Sequence, residues 1–96
     1  MVEKLLDAQR QSALESLGEW TYEPEDEAIV RHFEFEDFSG AFGFMARVAL
    51  LAEKAGHHPD WFNSFGDVTI SLSTHDAGGL SQKDIDLAQK IDALLR

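Results

Sequence analysis

The sequence predicts an α+β fold in two layers, a four-stranded antiparallel sheet with helices packed on one face. Three observations carry this. Segments of helical period alternate with segments of period two, in the order helix, two strands, helix, two strands, helix. The links within each strand pair are short, which favours hairpins and hence antiparallel pairing. The chain has 96 residues, so residues 1–96 read as a single small domain with a thin core.

The first helix falls around Leu5–Leu17, where Leu5, Leu14 and Leu17 stand among polar residues, and Gly18 suits its C-terminal cap. Trp20-Thr-Tyr22 is a short strand, and Glu23-Pro24-Glu25-Asp26 a turn. Ala28–Glu36 alternates, with Ile29, Phe33 and Phe35 on one side and Val30, His32, Glu34 and Glu36 on the other. Asp37 is placed to cap the next helix, in which Phe38, Ala41, Phe42, Met45, Ala49 and Ala52 recur at helical spacing. That stripe reads as core, and the helix ends near Gly56. Trp61–Ser64 is a third strand, Gly66-Asp67 a turn, and Val68, Ile70 and Leu72 mark a fourth strand. Gly78-Gly79 breaks the chain. Ser81-Gln-Lys-Asp84 then opens a last helix in the manner of a capping box, and Ile85, Ala88, Ile91 and Leu95 give it an apolar stripe.

Composition narrows the function classes. The net charge is −10, with eight Lys and Arg against eighteen Asp and Glu. Binding to nucleic acid or to an anionic membrane needs a basic face, so both are disfavoured as direct partners. The surplus of acid serves solubility. Cysteine is absent, which removes disulfides and thiolate chemistry. Met1-Val-Glu-Lys-Leu-Leu-Asp lacks the pattern of a signal peptide. Arg47 and Glu53 interrupt the Phe38–Ala55 stretch, which is too short to span a bilayer. A cytoplasmic location is expected.

Two segments concentrate chemistry. Gly56-His57-His58-Pro59-Asp60-Trp61-Phe62-Asn63 lies between the central helix and a strand, and Ser73-Thr74-His75-Asp76-Ala77-Gly78-Gly79 stands where a strand gives way to a turn. They flank one hairpin, Trp61–Ser73, so its open end brings His75 near His57 and His58. Pro59 pushes His58 toward extended backbone. Neighbours in a regular extended chain point to opposite sides, so both histidines reach one ligand only if the loop is turned. Histidine exchanges protons near neutral pH, and a dehydration needs one proton given and another taken. A metal site is the main rival, since three His can hold zinc, but adjacent histidines chelate poorly. A purely structural role is the other, and for His32 a surface or hydrogen-bonded role is expected. Ser73 and His75 lack a nucleophile-elbow pattern, and no phosphate-binding glycine loop is present. Trp61 could stack on a flat ring or sit in the core, whereas Phe62 reads as core.

Most of the chain resembles the pterin-4a-carbinolamine dehydratase family. The resemblance runs through Phe33-Glu-Phe-Glu-Asp-Phe38, Ala41-Phe-Gly-Phe-Met45, Arg47-Val-Ala-Leu50, Ala52-Glu-Lys54 and His57-His-Pro-Asp-Trp61. It continues through Leu72-Ser-Thr-His75, Gly79-Leu-Ser81 and Asp84-Ile-Asp-Leu-Ala88. It implies removal of water from 4a-hydroxytetrahydropterin, without metal or organic cofactor, to recycle the tetrahydrobiopterin of aromatic amino acid hydroxylases. It implies a homodimer built through the sheet, or a homotetramer. The family's catalytic histidines fall on His57, His58 and His75, and its pterin contacts on Gly56, His57, His58, Ser73, Thr74, His75 and Asp76. Glu53 and Trp61 match positions lining the same pocket, and Asp84 a further acid near it. Many relatives carry a polar residue where this chain has Gly56, so only backbone contact is open there. Animal members also serve as dimerisation partners of a homeodomain transcription factor, which makes a coactivator-type binding module the alternative.

Overall fold

The structure is a computed structural model and describes residues 2–96. The elements are α1 (Asp7–Ser16), β1 (Thr21–Glu23), β2 (Ala28–Glu34), α2 (Phe38–Ala55), β3 (Asp60–Ser64), β4 (Asp67–Leu72) and α3 (Gln82–Ala93), with a 3-10 turn at His75–Ala77. Both strand pairs are antiparallel hairpins, as their short links require. They join through β2 and β4, also antiparallel, so the sheet order is β1-β2-β4-β3. This makes β1 and β3 the edges.

Register assigns the faces. Ile29 opposes Leu72, Arg31 opposes Ile70, and Phe33 opposes Val68. Alternation puts all six on one side, and all but Arg31 are buried. Ala41, Phe44, Val48 and Ala52 of α2 and Ile85, Leu87, Ala88 and Ile91 of α3 cover them. Phe44 is the hub, its ring 4.8 Å from Phe33 and 4.9 Å from Phe35. α1 buries none of its own residues fully, but its Ala13 and Leu14 pack against this core. Burial of such side chains is worth about 1.5–3 kcal/mol each and is the main force holding the layers together. The two-layer α+β architecture follows.

Several local expectations hold. Asp37 Oδ1 accepts the Gly40 N–H at 2.8 Å and starts α2. Ser81 and Asp84 form the capping box of α3. Val68, Ile70 and Leu72 are buried and alternate with more exposed neighbours. At the β3–β4 tip, a Cβ on Gly66 would lie 2.3 Å from the Phe35 carbonyl oxygen, so only glycine permits this approach. The Phe35 N–H in turn donates to the Gly66 carbonyl at 2.8 Å.

Others are corrected. Phe38 and Phe42 are 54% and 59% exposed, and Phe44 and Val48 take their place in the core. α2 has apolar residues on more than one side, and period alone does not select among its faces. Phe62 is 69% exposed, because it stands opposite Thr69 on the sheet face that no helix covers. Trp20 precedes β1 and belongs to the core, its Nε1–H donating to Asp92 Oδ1 at 2.9 Å. That same oxygen accepts from Arg31 at 2.7 Å, which accounts for a charged residue on the buried face. β2 ends at Glu34 rather than Glu36. Leu17, not Gly18, closes α1. In α3 Leu87 is buried and Leu95 is 44% exposed.

Candidate active site

The site begins where α2 stops. Gly56 adopts left-handed geometry, with φ 64°. Its N–H donates to Glu53 O at 3.2 Å, and the His57 N–H to Ala52 O at 3.1 Å, so the helix ends in a glycine-dependent reversal. That reversal presents His57-His58-Pro59. The second wall comes from the end of β4. Ser73 and Thr74 lead into the 3-10 turn that starts at His75, and Gly78 closes it with φ 75°. Thr74 and Gly79 exchange backbone hydrogen bonds at 2.8 and 3.2 Å, which closes the loop on itself. Asp60 opposes Ser71 at the open end of the β3–β4 hairpin, and there the two walls meet.

Between them lies a cleft of about 370 Å³ lined by Gly56, His57, His58, Ser73, Thr74, His75 and Asp76. This size suits a small ligand. His57 and His58 both line the cleft, on the segment that follows the Gly56 reversal. Their environments differ. His57 is buried and His58 exposed.

A buried network holds His57. Its Nε2 lies 2.5 Å from Oδ1 of Asp84, which is fully buried in the first turn of α3. A carboxylate partner selects the tautomer that donates from Nε2. Thr74 Oγ1–H donates to Asp84 Oδ2 at 2.7 Å and the Ser81 N–H to the same oxygen at 2.9 Å. The threonine hydroxyl has one proton, already given to Asp84. The 2.7 Å contact between Thr74 and Ser81 hydroxyls therefore has Ser81 as donor. Ser81 Oγ accepts the Lys83 N–H at 3.2 Å. Every partner donates into Asp84, every proton has one destination, and the ring orientation is set. Nδ1 is the nitrogen of His57 left for a ligand.

The remaining expected residues divide. His58 Nε2 is 2.7 Å from Glu53 Oε1 in an exposed pair, so Glu53 sits behind His58 as Asp84 sits behind His57. The Ser73 hydroxyl donates to Glu27 O at 2.9 Å and tethers the strand end. His75 and Asp76 are exposed on the wall. Trp61 does not line the cleft. It opposes Ile70 on the helix-covered face of β3, and alternation sends it away from its neighbour Asp60, which does line it. Val2, Lys83 and Ser81 were missed. The Ser81-Gln-Lys-Asp84 capping box is the signal that could have found two of them, since it places Ser81 and Lys83 beside Asp84. His32 lies outside the cleft, exposed, with Nδ1 3.2 Å from Thr69 Oγ1. Among the described residues the side chains whose ligand atoms converge are His32, Glu34 and Asp67 on the open sheet face, not the cleft histidines.

Comparison with known proteins gives this geometry a context. A family model described as pterin 4 alpha carbinolamine dehydratase matches residues 3–94. The chain belongs to the pterin-4-alpha-carbinolamine dehydratase family. It is 53% identical over 93 residues to a Rhizorhabdus wittichii protein provisionally named for that activity, covering 97% of this chain and 96% of the relative. A similarly named protein of Rhodopseudomonas palustris strain HaA2 is 52% identical over 94 residues, covering 98% and 93%. A crystal structure of a transcriptional coactivator/pterin dehydratase from Brucella melitensis superposes with a TM-score of 0.91 at 45% identity, covering 95% of this chain and 97% of that one. Pterin-4-alpha-carbinolamine dehydratases are hydro-lyases, so the chemistry to be served is the loss of water. No helix among the described residues is long and apolar enough to cross a membrane.

Proposed function

We propose that this dehydratase removes water from a 4a-hydroxytetrahydropterin and releases a quinonoid dihydropterin. The observation that supports this best is one cleft gathering His57, His58 and His75, with His57 locked by the Asp84–Thr74–Ser81 network. In the reaction the C4a–O bond breaks as a proton reaches the leaving oxygen. The electrons of the ring nitrogen form a new C=N bond at C4a, and that nitrogen loses its proton. One proton enters and one leaves, so water departs with no net change in protonation. Two positioned histidines suffice for this, and such acid–base assistance is typically worth about 10² to 10⁴ in rate.

The three histidines are the proton-transfer groups in this proposal. Gly56, Ser73, Thr74 and Asp76 complete the pterin contacts, Gly56 through its backbone. Asp84 and Glu53 act through His57 and His58 as positioning residues. The product must be reduced before an aromatic amino acid hydroxylase can use it again, which ties the activity to such a hydroxylase in the cytoplasm. Stopped-flow measurement of carbinolamine dehydration, for wild type and each His→Ala variant, is the test. Large losses in at least two variants are expected, and near-wild-type rates in all three would sink the assignment.

A second reading has its own observation. Phe38, Phe42 and Leu50 form an exposed apolar row along α2, at 54%, 59% and 72% exposure. Such a row suits protein contact, as does pairing at the edge strands β1 and β3. Self-association as a homodimer or homotetramer, or a coactivator-type partnership, would use these surfaces and not the cleft. Light scattering of wild type and F42E decides whether the row carries an assembly.

A further inference from the structure

The wall of the histidine cleft extends to the first turn of α3 at Lys83. A second groove of about 530 Å³ begins there, walled by residues 2–6, Gln9, Gln82 and Lys83. Val2 and Lys83 line both spaces, so the two meet at these side chains.

Both walls at the junction are held. On one side the Leu5 N–H donates to Leu80 O at 2.7 Å, Lys4 bridges to Ser81, and Lys4 Nζ lies 3.1 Å from Glu27 Oε1. On the other side, the Lys83 N–H is bound to Ser81 Oγ. Ser81 also binds Asp84, and Asp84 holds His57. One capping turn therefore sets the position of Lys83 relative to the histidine.

Among the described residues Lys83 is the only Lys or Arg on the histidine cleft wall, and it joins none of their ion pairs. An ammonium donates up to three hydrogen bonds and accepts none, so its complement is rich in oxygen. The surroundings choose between a neutral and an anionic complement. Asp60 and Asp76 line the cleft and Glu3 the groove, while Lys4 is already paired with Glu27. An anion would meet this acid surplus, but a hydroxylated chain would not. The groove also offers hydroxyls further partners. The Gln9 oxygen is engaged by the Leu6 N–H, which leaves its amide N–H groups, and the Gln82 amide nitrogen by Asp86, which leaves its oxygen.

Pterin chemistry supplies the link. C6 is bonded to N5, and N5 to the reacting C4a, so a C6 substituent starts beside the bond that breaks. With that edge at the histidines, the substituent leaves the cleft past a wall residue. We infer that it leaves past Lys83 into this groove, and that Lys83 selects substrates whose C6 chain carries hydroxyls. This presupposes the pterin reading above and adds the residue that discriminates among C6 chains.

The test compares wild type and K83M on 4a-hydroxy-6-methyltetrahydropterin and 4a-hydroxytetrahydrobiopterin, the latter with a dihydroxypropyl chain. K83M keeps the stem and removes the ammonium. It is expected to lower kcat/KM for the dihydroxypropyl substrate about tenfold more than for the methyl one, the scale of one hydrogen bond to a charged group. Equal losses on both substrates would overturn the inference, as would no loss on either. A wild type that prefers a C6 chain ending in phosphate would overturn it too. If wild type turns over no pterin, the dehydratase proposal fails with it. If wild type is active on both and K83M does not discriminate, only the C6 assignment fails.

Discussion

Replacing Asp84 by Asn should disarm His57 while leaving the fold largely in place. The two side chains have nearly the same shape, but a carboxylate only accepts, and an amide must donate from one of its two positions. Asp84 receives His57 on Oδ1, and Thr74 and the Ser81 N–H on Oδ2. If the Asn nitrogen faced Ser81, a buried backbone N–H would lose its acceptor, at about 1–3 kcal/mol. The nitrogen therefore faces His57. Nε2 must then accept, and the ring proton moves to Nδ1, so the cleft meets an N–H where it had a lone pair. Three charge-assisted hydrogen bonds also become neutral ones, each weaker by about 1 kcal/mol. Removing a buried charge offsets part of that, and a net loss of about 1–2 kcal/mol is expected. In a domain of this size each kcal/mol lowers Tm by about 4–8 °C. Stopped-flow dehydration and thermal unfolding followed by circular dichroism read the two effects separately. Dehydration is expected to slow by about 10² or more, in kcat rather than KM. D84N with a wild-type kcat, whatever its Tm, would refute the positioning role of Asp84.

Gly66→Ala puts a Cβ 2.3 Å from a carbonyl oxygen, and should destabilise by more than about 3 kcal/mol, beyond ordinary overpacking. Gly56→Ala meets no atom within 4 Å but keeps a left-handed φ, and should cost about 1–2 kcal/mol. Urea titration of both checks the order, and the reverse order would refute the close approach at the hairpin tip. Phe44→Ala should cost about 3–5 kcal/mol and Phe62→Ala within about 0.5 kcal/mol, given their 1% and 69% exposure. A costly Phe62→Ala in the monomer would show the open face to be covered. Asp92→Ala strips Arg31 and Trp20 of a shared acceptor and should cost about 2–4 kcal/mol, between the values for exposed and buried pairs. A cost below about 1 kcal/mol would mean that this ion pair contributes little.

What is local was legible along the chain. Caps, turns and period are decided by a residue and its near neighbours, so the elements, the Asp37 and Ser81 caps, the two hairpins and the α+β class were legible. The site was half legible for the same reason. His57, His58 and His75 flank a hairpin, and a hairpin's open ends must meet. Tertiary structure decided the rest. Only the β2–β4 pairing sets the sheet order, and only that sheet selects which apolar side of α2 is buried, Phe44 and Val48 instead of Phe38 and Phe42. It also gave the neighbouring histidines different partners. Asp84 reaches His57 from 27 residues away because α3 packs beside the end of α2, whereas Glu53 reaches His58 from within one helix end. A histidine's chemistry depends on what holds its second nitrogen, and no pattern along a chain specifies a contact made across the fold.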